Sequence, residues 1–122
     1  MSLLIDSSGW IEHFINGPKA SSYSKFILGK EEIVIPTLVL FEVYRKIKKM
    51  SQEEDAIFAV TQMQRCQIVP LDDELALFAA DLSLQHKLGM ADSIVYATVL
   101  SAKARLVTSD NDFRNLPDVI LI

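Results

Sequence analysis

Asp6, Glu42, Asp92, Asp110 and Asp112 are acids set against apolar neighbours. Asp6 ends the run from Ser2 to Ile5, and Asp110 and Asp112 follow Leu106-Val107 through Thr108 and Ser109. Asp92 stands just before the apolar stretch from Ile94 to Leu100. Glu42 lies between Phe41 and Val43, where an unpaired charge is costly. If these acids share a crevice, they need a counter-charge. Two carboxylates about 5 Å apart repel by roughly 3 kcal/mol at an effective dielectric of about 20. Either protons are taken up or a cation binds. An all-oxygen donor set points to Mg²⁺ or Mn²⁺ rather than zinc or copper. Such a cation, with open coordination positions, suits phosphodiester hydrolysis: it neutralises phosphate, lowers the pKa of a water and steadies the departing oxygen.

The elements that must position the acids are legible as an alternation of strands and helices. The organising stretch is Leu88 to Asn115, which reads as a buried helix from Ala91, a strand at Leu106-Val107 and an acidic turn. Other strands are expected at Ser2 to Ile5, Ile33 to Ile35, Ile68 to Pro70 and Val119 to Ile122. Ser7 or Ser8 is expected to cap a helix carrying Trp10, Ile11 and Phe14, stopped by Gly17-Pro18. A short helix bears Tyr23, Phe26, Ile27 and Leu28. Thr37 is expected to cap Leu38 to Met50, and Ser51-Gln52 to start a helix running to about Arg65. Asp72 or Asp73 starts another, ending near His86-Lys87-Leu88-Gly89. This order predicts an α/β fold: one domain, residues 1–122, with a parallel sheet sandwiched between helices. In such sheets, sites lie outside the carboxyl ends of the strands, which is where Asp6, Asp110 and Asp112 fall. Glu42 and Asp92 lie in the early turns of helices starting near that edge, so all five acids are expected to face one crevice.

The 122 residues fit one core, and half of them are apolar. No apolar run approaches the roughly 20 residues that span a bilayer, so no membrane partner is expected. The opening MSLLIDSSGW has no basic segment and is not expected to be a signal peptide. A single cysteine, Cys66, allows neither an intrachain disulfide nor a cysteine metal cluster, and cytoplasmic residence is the expectation. The net charge of −4 argues against broad adhesion to nucleic acid but leaves room for a local basic patch, the Arg45-Lys46-Ile47-Lys48-Lys49 run. Taken singly, Asp92 and Asp110 read as helix or turn caps, and that basic run as a solvated helix end. Ser8 and Thr108 read as caps or turn residues whose hydroxyls are also able to orient a carboxylate.

Three segments together carry a resemblance: LIDSSGWIE, PTLVLFEVYRK and HKLGMADSIVYATVLSAKARLVTSDNDF. In their order, spacing and apolar framing, the chain resembles PIN-domain ribonucleases over nearly its whole length, particularly VapC-type toxins of toxin–antitoxin pairs. The resemblance implies a parallel sheet between helices, with Asp6, Glu42, Asp92 and Asp110 as the metal-site acids. It makes Asp112 an accessory acid, Thr108 a supporting polar residue and Ser8 the small polar residue after the first acid. It further implies Mg²⁺- or Mn²⁺-dependent endonucleolytic cleavage of RNA, a homodimer and inhibition by a small antitoxin protein. Arg45, Lys46 and Arg114 are the candidates for holding RNA.

Other readings are a PIN nuclease of RNA processing, an aspartyl-phosphate enzyme with Asp6 as nucleophile, and a non-catalytic binding module. The second lacks its second Asp, since Ser8 stands there, and has no well-placed lysine after the fourth strand. The third would tolerate neutral replacements at the acids.

Overall fold

The computed structural model describes residues 1–122. Five strands, β1 (Ser2–Ile5), β2 (Glu32–Pro36), β3 (Gln67–Val69), β4 (Ala104–Thr108) and β5 (Val119–Leu121), form one sheet in the order β3-β2-β1-β4-β5. Every pairing is parallel, and Ile5 of β1 lies opposite Val107 of β4. Consecutive residues Leu3, Leu4 and Ile5 are all buried, so both faces of the sheet are covered, as a parallel sheet requires. The covering helices are α1 (Ser7–Ile15), α2 (Ala20–Ile27), α3 (Thr37–Met50), α4 (Glu53–Met63), α5 (Asp73–His86) and α6 (Met90–Ser101). None of them is long and apolar enough to cross a membrane.

The expected alternation and sheet are present, with local corrections. Neither Ser7 nor Ser8 caps α1; Asp6 does, its carboxylate accepting the Gly9 N–H. The strand ends one residue earlier than a serine cap would need, so the acid itself meets the free N–H groups. Pro36, not Thr37, stands at the cap of α3, and no side chain bonds there. Ser51 closes α3, and Gln52 is the cap of α4. The third strand is Gln67–Val69 rather than Ile68 to Pro70, since proline lacks the N–H that the ladder uses. α5 ends at His86, within the expected stretch, and closes on Lys87 in the left-handed region at φ 57°, while Gly89 precedes α6. The acidic turn contains a 3₁₀ turn, Asn111–Phe113.

Two helices matter most for the site. α6 is buried continuously from Ser93 to Val99, as its composition predicts. It therefore runs through the core with only its two ends at the surface, and its first turn holds Asp92. α3 buries Val39, Val43 and Ile47, a stripe at four-residue spacing. Glu42 flanks that stripe and is half-buried, whereas Phe41 is 62% exposed.

Candidate metal and nuclease site

The strand order reverses direction between β1 and β4. The chain leaves β1 towards β2 on one side and β4 towards β5 on the other, opening a crevice at their carboxyl ends. Asp6 follows β1 directly, and Asp110 lies two residues beyond β4. Their side chains are tied by Thr108, which is fully buried. Its hydroxyl donates to Asp6 Oδ2 at 2.5 Å and accepts the Asp110 N–H at 3.0 Å. Asp6 Oδ1 accepts from Gly9 N–H at 2.9 Å and from the Ser8 hydroxyl at 3.1 Å. The orienting roles open to Ser8 and Thr108 are thus both realised, on one carboxylate. Asp110 also serves as a cap, its Oδ1 accepting the Asp112 N–H at 2.9 Å.

Asp6, Glu42, Asp92 and Asp110 line one cleft of about 340 Å³, together with Ser109 and Phe113 among others. Asp112 does not line it and is exposed. Even so, Asp92, Asp110 and Asp112 each offer a carboxylate oxygen within 4.8 Å of the others. All five acids expected to converge are therefore at one place, Asp112 on its rim. No lysine, arginine or histidine lines the cleft. The ion pairs of the chain lie elsewhere, between the Met1 amino group and Glu31 and between Lys48 and Glu53.

The electrostatic cost falls on Asp92. Burial, then the carboxylates of Asp110, Asp112, Glu42 and Asp6, push its carboxyl up to about 6. Burial also pushes Asp6 up, against the hydroxyl of Thr108, the Gly9 N–H and the Ser8 hydroxyl, which hold it down. Glu42 is raised by burial and by Asp6, and eased by the Ser7 side chain. A donor set made only of carboxylate and hydroxyl oxygens, with no cation among its neighbours, fits a hard divalent ion.

The same shifts give a prediction for metal-free protein. A carboxyl raised on folding favours the folded state fully below its unfolded pKa, and that advantage is lost as pH rises through the folded value. For Asp92 the loss falls between its unfolded value of 3.8 and about 6, and the shifts of Asp6 and Glu42 have the same sign. The Asp92 shift corresponds to at most about 3 kcal/mol, trimmed to about 1–2 kcal/mol because the group is only half-buried. With a chelator present, the melting temperature is expected to be several degrees lower at about pH 7.5 than at about pH 5. A thermal scan at the two pH values checks it; a melting temperature that rises with pH contradicts the assigned crowding.

Tyr23 and Ser109 were not legible as site residues. Tyr23 reads from sequence as an apolar mark of α2, yet its hydroxyl donates to Ser109 Oγ at 3.0 Å. Burial raises the Tyr23 phenol, so it stays a neutral donor. The one sequence hint is Gly9 in the first turn of α1, a helix position that gains nothing from glycine unless something approaches closely.

Residues 3–119 match the PIN domain family. The chain is a PIN domain. No curated protein matches this PIN domain in sequence. Among solved structures it is similar to a toxin–antitoxin complex from Klebsiella pneumoniae, with TM-score 0.82 and 24% identity, covering 97% of this chain and 95% of that one. It is similar to VapC20 of Mycobacterium tuberculosis, a sarcin-ricin loop cleaving toxin, with TM-score 0.80 and 14% identity, covering 96% of each chain. It is also similar to VapBC2 of Rickettsia felis, crystallised on a DNA fragment from its promoter, with TM-score 0.77 and 18% identity, covering 100% of this chain and 98% of that one. At these identities the likeness speaks for the fold.

Proposed function

We propose that this PIN domain is a divalent-cation-dependent endoribonuclease and the toxin of a toxin–antitoxin pair. The observation that carries the reading is the crowding of Asp92 by four other acids in a cleft without a basic residue. Asp92, Asp110 and Asp112 would hold Mg²⁺ or Mn²⁺, with Asp6 and Glu42 lining the same cleft. When bound, the ion neutralises phosphate and makes a water more acidic. Asp6, with both oxygens already accepting hydrogen bonds, is fixed in orientation. Glu42 accepts fewer bonds and is half-buried, which suits it to orient the attacking water. Arg45 and Lys46, exposed on α3 three and four residues after Glu42, and Arg114, just past the 3₁₀ turn, would hold the RNA backbone.

Two surfaces support the partners. α1, α2 and α4 border an apolar groove of about 410 Å³, with Trp10, Phe14, Ile27 and Phe58 among its walls, which suits an apolar segment of a small antitoxin. On α5, Leu77 and Leu84 are 70% and 84% exposed, which suits a homodimer. The reading places the protein in the cytoplasm, with its RNA substrate.

The test is cleavage of a circular structured RNA, which only an endonuclease linearises. No cleavage is expected with a chelator, and cleavage is expected on adding Mn²⁺ or Mg²⁺. Chelator-resistant cleavage, or none with either ion, would reject the reading.

A further inference from the structure

Thr108 ties the two acid-bearing loops from below the cleft; a second tie runs from a helix that contributes no acid. Tyr23, fully buried on α2, touches the first turn of α1 and the loop after β4. Its ring packs on Gly9 so closely that a Cβ there would lie 2.5 Å from ring carbons Cδ1 and Cε1. Gly9 is the residue whose N–H holds Asp6. Its hydroxyl donates to Ser109, which lines the acidic cleft immediately before Asp110. Tyr23 thus links the first turn of α1, which holds Asp6, to the β4–3₁₀ loop, its bond to Ser109 crossing 86 residues of sequence. These two loops carry carboxylates that repel one another, Asp6 feeling the charge of Asp110. An exposed loop with such a repulsion opens unless its backbone is held.

We propose that Tyr23 is a positioning residue, a strut whose ring and hydroxyl hold the turn from Ser109 to Asp112 against Asp6 and so preset the spacing of the acids for a divalent cation. The consequence for the cation rests on the nuclease reading; the strut itself does not. One donor is used twice over in its effect. It satisfies the phenol inside the core, where an unmet hydroxyl is costly, and it fixes the backbone of Ser109. Ser109, having accepted that bond, keeps its own hydrogen free for another acceptor in the cleft.

Tyr23→Phe keeps the ring on Gly9 and removes the hydroxyl, while Ser109→Ala removes its acceptor. The first readout is amide hydrogen exchange without any metal at Asp110, Asp112 and Phe113, whose N–H groups are bonded within the turn. Exchange there is expected to be ~3- to 10-fold faster in either variant, the worth of one hydrogen bond, with the β1 and β4 amides unchanged. The double variant is expected to be no faster than the faster single one. Unchanged exchange in Tyr23→Phe, or effects that multiply in the double variant, overturns the strut. The second readout is Mn²⁺ affinity by calorimetry, expected to be ~3- to 10-fold weaker in Tyr23→Phe. Cleavage lost at limiting Mn²⁺ is expected to return at saturating Mn²⁺, which a general loss of folding would not allow. Equal Mn²⁺ affinity in wild type and variant overturns the strut's service to the cation. Wild-type protein that binds no Mn²⁺ overturns the nuclease reading together with that service, and leaves the strut to be judged by exchange.

Discussion

Asp92→Asn is expected to make the metal-free protein more stable and to lower RNA cleavage by about 10³-fold or more. The two effects have opposite signs for one reason. At neutral pH the Asp92 carboxylate sits among four other acids in a half-buried position that lifts its pKa to about 6. Asparagine keeps the shape and removes the charge. The gain is about 1–2 kcal/mol after allowing for exposure, or several degrees in melting temperature. The same change takes one of three converging oxygens away from the cation and leaves a weaker neutral donor. Added Mn²⁺ stabilises whatever binds it in the folded state, so the wild type gains more from Mn²⁺ than the variant does. Asp6→Asn is expected to share the loss of cleavage while still capping α1, because asparagine caps as well as aspartate. Metal-stimulated cleavage that survives in both variants would refute the site assignment.

Gly9→Val is expected to destabilise the fold by about 3 kcal/mol, the upper end for overpacking, and to lower the melting temperature by about 10–15 °C. A Cβ at Gly9 meets the Tyr23 ring at 2.5 Å and Ile5 Cγ2 at 2.7 Å, and both of those side chains are fully buried. Ile5 has no room to retreat, since β1 lies centrally in the sheet between β2 and β4, and the Tyr23 ring is tied by its hydroxyl to Ser109. Denaturant unfolding followed by far-ultraviolet circular dichroism measures the loss. A change under about 1 kcal/mol would mean that the ring gives way freely, contrary to close packing.

What the sequence disclosed about this site follows from one rule of parallel sheets. Acids just past strand ends gather at one edge, so Asp6 and Asp110 were legible from apolar runs alone. Asp92 and Glu42 were legible because each is a charge on a segment that is otherwise apolar. What local pattern does not carry is pairing at long range. Thr108 bonds Asp6 across 102 residues and Tyr23 bonds Ser109 across 86, and nothing in the neighbourhood of either residue signals its partner. Asp112 falls on the rim, within the 3₁₀ turn, an element invisible as a hydrophobic pattern. The cap of α1 was misplaced for a local reason. Asp6, Ser7 and Ser8 are all good cap residues in a row, and only the end of β1 chooses among them.

The central seam between β1 and β4 joins segments far apart in the sequence, Leu4 lying opposite Leu106. A nascent chain that has emerged as far as β3 possesses Asp6 and Glu42 but neither Asp92 nor Asp110. Loop closure over such a separation is slow, and β4 has to slot beside a strand that precedes it by about 100 residues. The acidic cleft is therefore incomplete for most of translation, and its five carboxylates come together only once the late strand docks.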